Sequence, residues 1–149
     1  MWQRVQTIFL VVVVAAMFLM IFFPVWESVT EAGRVVFYPF YLKTPDADVY
    51  YPYVVVAVLA IASITVALIE ISRYRNRMLQ IKLGAFNSLL MAGLLVTAIL
   101  IARGLQGDHG YGSWGFSLFL PAISMLSNSI ANRFIRRDER LVRESDRLR

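Results

Sequence analysis

The sequence has no cysteine. That excludes disulfides, thiolate metal sites and cysteine nucleophiles, and it leaves the redox environment open. It has one histidine, His109, beside Asp108 in a glycine-rich stretch. One His and one Asp do not build a structural zinc site, which takes about four ligands. A loop histidine is a poor axial ligand for haem, and no serine–histidine–acid set is credible around it. Gly107-x-x-Gly110-x-Gly112 neither follows a strand nor opens a soluble helix, so it is not a nucleotide loop. Charge is missing from the central turns of the long apolar runs, where ion-coupled transporters and pumps usually place it. No catalytic residue, cofactor or metal is therefore expected, and the chain reads as non-enzymatic.

What the sequence has in abundance is hydrophobic length. Of 149 residues, 58% are hydrophobic and mean hydropathy is +0.61, where a soluble domain is roughly 45–50% apolar. The excess falls in four runs that predict helices over about 7–25, 52–72, 83–102 and 115–134. Each is close to the ~17–25 residues a spanning helix needs. The expectation is one all-α integral membrane domain over 1–149: a four-transmembrane-helix bundle with outer loops 26–51 and 103–114 and a basic tail at 133–149. The first run is too long for an ordinary signal sequence and ends in Pro24-Val25-Trp26, not in a small-residue cleavage site. It reads as a retained helix bracketed by interfacial Trp2 and Trp26.

Charge orients the bundle. Arg4, the group Arg73, Arg75, Arg77 and Lys82, and the group Arg133, Arg136, Arg137, Arg140, Arg143, Arg147 and Arg149 hold twelve of the fifteen basic residues. Only Arg34, Lys43 and Arg103 lie in the other two gaps. By the positive-inside rule both termini are cytoplasmic, in a multi-pass protein of a bacterial inner membrane. The net charge of +5 sits at helix ends, where anionic lipid head groups, not nucleic acid, are the expected partner.

The outer loops carry a different signal. Arg34–Leu42 and Val49–Tyr53 are β-branched and aromatic, with turn-like Lys43–Asp48 between them. They predict an irregular β-like hairpin capping the outer face, with Pro39 and Pro52 confined to edges or strand ends. The second loop, rich in glycine from Gly104 to Gly112, is expected to be flexible or tightly turned.

The residues that stand out inside the runs are few. Glu70 lies within a turn of the inner end of helix 2 and is expected to pair with Arg73 or with an arginine of another helix. Helix 4 is the most polar run, with Ser117, Ser124, Asn128 and Asn132 on one stripe. Helix 3 offers small residues Gly84, Ser88 and Ala92 to face that stripe, with Asn87 near the inner end. Such residues hydrogen-bond between helices at about 0.6 kcal/mol each. Two readings stay open for Glu70, Asn87, Ser124, Asn128 and Asn132: packing between helices, or a polar pocket. Arg73, Arg75, Arg77, Arg136, Arg137 and Arg147 are candidates for contact with lipid head groups or with a partner.

The tail continues helix 4 as a cytoplasmic amphipathic helix. Phe134, Leu141 and Leu148 recur every seven residues, a narrow helical stripe. The stripe is expected to be covered by membrane, by the 73–82 loop or by a partner. Glu139–Arg143 and Arg140–Glu144 are i,i+4 pairs of opposite charge.

Three stretches carry a resemblance: Met1–Thr7, Arg75–Lys82 and Ala131–Arg149. Together they resemble the bacterial four-helix membrane-protein family called domain of unknown function 4293. The resemblance implies a topology and an inner membrane, and brings no activity, cofactor or catalytic residue. The role expected from sequence is a non-catalytic accessory or scaffold subunit packing against another membrane protein of unknown identity. The alternative is a small carrier or lipid-handling protein that uses the polar stripe of helix 4.

Overall fold

A computed structural model describes residues 2–31, 33–74 and 76–147; the side chains of 2–4, 143 and 145–147 lie outside the description. Four helices make up most of it: α1 (Trp2–Phe22), α2 (Val54–Ser72), α3 (Arg77–His109) and α4 (Phe119–Arg147). Each packs on its neighbours in sequence, and α4 closes the ring on α1. Of the four, α1, α2 and α3 are long and apolar enough to cross a membrane by length and composition. α4 is not, because its first half carries the serine and asparagine stripe and its second half the arginines.

The packing seams explain the ring. On α3 the buried positions Gln80, Gly84, Asn87, Met91, Leu94, Ala98, Ala102 and Leu105 alternate steps of three and four over most of the helix. That spacing keeps one narrow stripe facing its partners. α2 answers with Ala57, Ala60, Ser63, Ala67 and Glu70, small residues for most of its length that allow close backbone approach. The outward residues are apolar: Ile8 and Phe18 on α1, Val58 and Ile61 on α2, Leu89 and Val96 on α3, Ile123 and Leu126 on α4. The buried set includes Gln6, Ser63, Glu70, Gln80, Asn87, Ser124, Asn128 and Asn132. Polarity is thus inverted on the outward faces, which in a water-soluble bundle are polar, while most of the buried core remains apolar.

The helices run further than the hydropathy runs. α3 has 33 residues, about 50 Å at ~1.5 Å per residue, longer than the ~30 Å hydrocarbon of a bilayer. It starts at Arg77 because Asn76 caps it, accepting a hydrogen bond from Leu79 N at 3.0 Å. It also continues through Gly104 and Gly107 and stops only at Gly110. The flexible loop expected over 103–114 is therefore corrected: most of it is the last two turns of α3, where Leu105 is buried. Burial of that residue supplies what the glycines lack in intrinsic helix preference.

The cap is a five-stranded antiparallel sheet: β1 (Trp26–Thr30), β2 (Gly33–Phe37), β3 (Leu42–Lys43), β4 (Asp48–Val49) and β5 (Ser113–Trp114), in the order β4-β3-β2-β1-β5. The expected strand 34–42 is split, because Pro39 has no N–H for a ladder and a turn closes there from Tyr38 N to Tyr41 O at 2.9 Å. The turn expected at 43–48 is present and held by Thr44 Oγ1, which donates to Ala47 O at 2.6 Å. Residues 26–30 form an interior strand, paired Trp26 to Phe37 on one side and Trp26 to Trp114 on the other. Trp26 is accordingly corrected from interfacial to core: it is fully buried with Phe37 where the sheet meets the helix ends. Gly112 passes so close to it that a Cβ there would lie 2.6 Å from the indole ring.

Candidate functional site

The half of the bundle away from the sheet contains a column of buried polar side chains. On α2, Ser63 and Glu70 are two turns apart and face α3. Ser63 Oγ donates to Asn87 Oδ1 at 2.7 Å, and Gln80 Nε2 donates to the backbone oxygen of Glu70 at 2.9 Å. Gly84 lies between those two layers. Its carbonyl accepts from Asn128 Nδ2 of α4 at 2.7 Å, and the same amide reaches Ser88 Oγ at 2.8 Å. A Cβ at Gly84 would overlap the Asn132 amide, so a larger residue there would displace that side chain from the seam. Gly84 and Ser88 of the small-residue stripe therefore face Asn128 and Asn132 of α4.

The column is incompletely paired. Both carboxylate oxygens of Glu70, Gln80 Oε1, Asn87 Nδ2, Ser124 Oγ, Asn128 Oδ1 and Asn132 Oδ1 are buried without a hydrogen-bond partner among the described residues. Leaving such an atom unpaired costs about 1–3 kcal/mol, so native folds keep them few. The pairing of Glu70 with Arg73 expected from sequence is therefore corrected. Arg73 is exposed beyond the end of α2, while the Glu70 side chain turns inward.

Below the column the basic residues divide by role. Arg77 clamps α3 to the extension of α4: its Nη1 donates to Asp138 O at 3.0 Å and its Nη2 meets Asp138 Oδ2 at 3.0 Å. It is an internal brace, a use its place among the expected lipid or partner contacts did not anticipate. Phe9 of α1 stacks on Phe134 with ring centroids 5.9 Å apart, so the first stripe residue is covered from within the chain. Leu141 is 50% exposed; Leu148, Arg75 and the side chain of Arg147 lie outside the described residues. Arg136 and Arg137 are on the surface. A cleft of about 520 Å³ between α3 and the extension is lined by Asn76, Arg77, Met78, Glu139 and Val142. A second of about 320 Å³, further up the same helix pair, is lined by Ala85, Ser88, Ser129, Asn132, Arg133 and Arg136.

Sequence reasoning placed Ser124, Asn128 and Asn132 against helix 3 and brought Asn87 into the same region, but Asn87 pairs with Ser63 of α2. It missed Ser63, Gln80, Arg133 and the Arg77–Asp138 clamp. Ser63 was legible as the one hydroxyl in a run of alanines at the same spacing; Gln80 and Arg77 were hidden by being assigned to a loop. At the sheet end, Glu27 and Arg34 form an exposed cross-strand ion pair, and the hydrogen bond to Glu27 holds the Arg34 guanidinium further above its ordinary pKa.

Together these features define a helical bundle of inverted polarity, capped at one end by a small sheet and basic at the other. The chain belongs to the family described as domain of unknown function DUF4293, whose family model matches residues 2–148. The match includes the outer loops, which took no part in the resemblance. No curated protein and no solved structure matches the chain.

Proposed function

We propose that this chain is a non-catalytic accessory or scaffold subunit of a bacterial inner membrane, with the sheet outside, both termini in the cytoplasm and the extension of α4 as its docking element. The observation that carries this reading is the extension itself. α4 continues without a break to Arg147, is clamped to α3 through Arg77 and Asp138, and still leaves Leu141 half exposed beside charged neighbours. A braced helix with an exposed leucine is suited to receiving a partner helix or loop. The three apolar helices, the inverted polarity and the distribution of Lys and Arg support the membrane setting.

The test is purification from native membranes in mild detergent with and without Leu141→Asp. The reading expects a defined membrane protein at fixed ratio with the unaltered chain and its loss from the variant. A chain that purifies alone, or a companion indifferent to Leu141→Asp, would overturn it. The alternative is a small carrier or lipid-handling protein, and it draws on the unpaired oxygens of Glu70, Asn128 and Asn132. It requires small-molecule binding that Asn128→Leu abolishes.

A further inference from the structure

We propose that the groove between α3 and α4 at Arg133 and Arg136 is a binding site for the phosphate of an anionic phospholipid of the inner leaflet. The proposal rests on the membrane orientation given above and is independent of any protein partner.

The lining makes the chemical argument. The groove encloses about 320 Å³ and its six lining residues include two arginines, two serines and an asparagine, with no acidic side chain. Arg133 and Arg136 are three apart on α4, so their side chains leave the same helical face. Both are exposed, and neither takes part in an ion pair among the described residues. Arg77, by contrast, is already held by Asp138. Two guanidinium groups that line one cavity, Arg136 at its border with the next cleft beside Glu139 and Arg140, match a phosphodiester in charge and in donors. Ser129 adds a hydroxyl. Asn132 forms a polar floor: it is 9% exposed, and its Oδ1 has no partner among the described residues. Ser88 is already committed, since its hydroxyl donates to Gly84 O at 3.1 Å.

Position makes the second argument. Above the arginines, toward the sheet end, the exposed residues that follow the groove at helical spacing are apolar: Leu89 on α3, four residues from Ala85 and 69% exposed, and Leu126 on α4, seven residues before Arg133 and 68% exposed. Below them, toward the extension, the surface becomes charged with Glu139 and Arg140 beside Met78 and Ile81. A ligand that fits this sequence of surfaces is an amphiphile: anionic at the arginines, with hydrocarbon running along Leu89 and Leu126. A free phosphate ion has no use for the apolar walls. Basic pockets between membrane helices on the inner side are a recurrent setting for acidic head groups.

The experiment uses the full chain in nanodiscs of phosphatidylcholine doped with phosphatidylglycerol, with bound lipid counted by native mass spectrometry after mild delipidation. The unaltered chain should retain phosphatidylglycerol over phosphatidylcholine. Arg133→Gln with Arg136→Gln should lower retention by roughly fivefold per arginine, and Ala85→Trp, which fills the groove without changing charge, should lower it as well. Lys82→Gln with Arg103→Gln removes the same charge at exposed positions outside the groove and should leave retention unchanged. Arg133→Lys with Arg136→Lys should keep most of it, which separates loss of charge from loss of fold. Equal loss in the Lys82 and Arg103 variant would overturn the proposal in favour of diffuse attraction. Unchanged retention in the Arg133 and Arg136 glutamine variant, or in Ala85→Trp, would also overturn it. So would displacement of the lipid by millimolar inorganic phosphate, which would make the groove a simple anion site.

Discussion

The two ends of this bundle are built by opposite means. At the sheet end the interior is mostly apolar: Trp26, Phe37, Met20, Ala102 and Leu105 meet without a buried charge, although the Trp26 Nε1 is buried there without a partner among the described residues. At the other end the interior is Ser63, Glu70, Gln80, Asn87, Asn128 and Asn132, and several of their polar atoms have no partner among the described residues. Filled apolar packing stabilises without regard to direction, whereas polar contacts stabilise little but specify register. The comparison places fold stability at the cap end. It places helix register, and the surfaces available to ligands and partners, at the basic end.

The largest break in that comparison is Trp26→Ala. Removing a fully buried indole from the joint between sheet and helices should cost about 3–5 kcal/mol, seen as a large fall in the thermal midpoint in detergent. A loss below about 1 kcal/mol would mean that the cap contributes little. At the other end Glu70→Met should act with the opposite sign. It replaces an unpaired buried carboxyl with a side chain of similar length, and should raise stability by about 1–3 kcal/mol. Destabilisation would show that the carboxyl has a partner the chain alone does not supply. The smallest effect is expected from Asn128→Leu, which removes the bonds to Gly84 O and Ser88 Oγ. It should cost about 0.5–2 kcal/mol, and crosslinking between cysteines at Ala85 and Ser129 would show whether the spacing of α3 and α4 shifts.

The sequence showed the bundle better than its ends. The apolar runs located all four helices, and Gly84 and Ser88 of the small stripe face the asparagines of α4 as expected. The borders were lost because the rule that finds spans stops at the first cluster of charge or glycine. Arg77 and Gly107 are helical because Asp138 and the buried Leu105 hold the ends of α3, and neither contact leaves a trace in a local window. The cap was half legible. Aromatic and β-branched residues marked β2, but two-residue strands such as β3 and β5 are too short for any alternation. Trp26 looked interfacial because tryptophan at a helix end usually is; its burial follows from β5, which returns from a distant part of the chain. The positions of Glu70 and Gln80 depended on helix rotation, which hydropathy does not report.

The central claim is that the inverted bundle spans a membrane with the sheet outside and the basic extension inside. The direct measurement is labelling of single cysteines with an impermeant maleimide in intact cells stripped of their outer membrane. Ser113→Cys in β5, an exposed position, should react before lysis. Ser145→Cys, between Arg143 and Arg147 near the end of the extension, should react only after it. Protection of Ser113→Cys together with reaction of Ser145→Cys in intact cells would contradict the account.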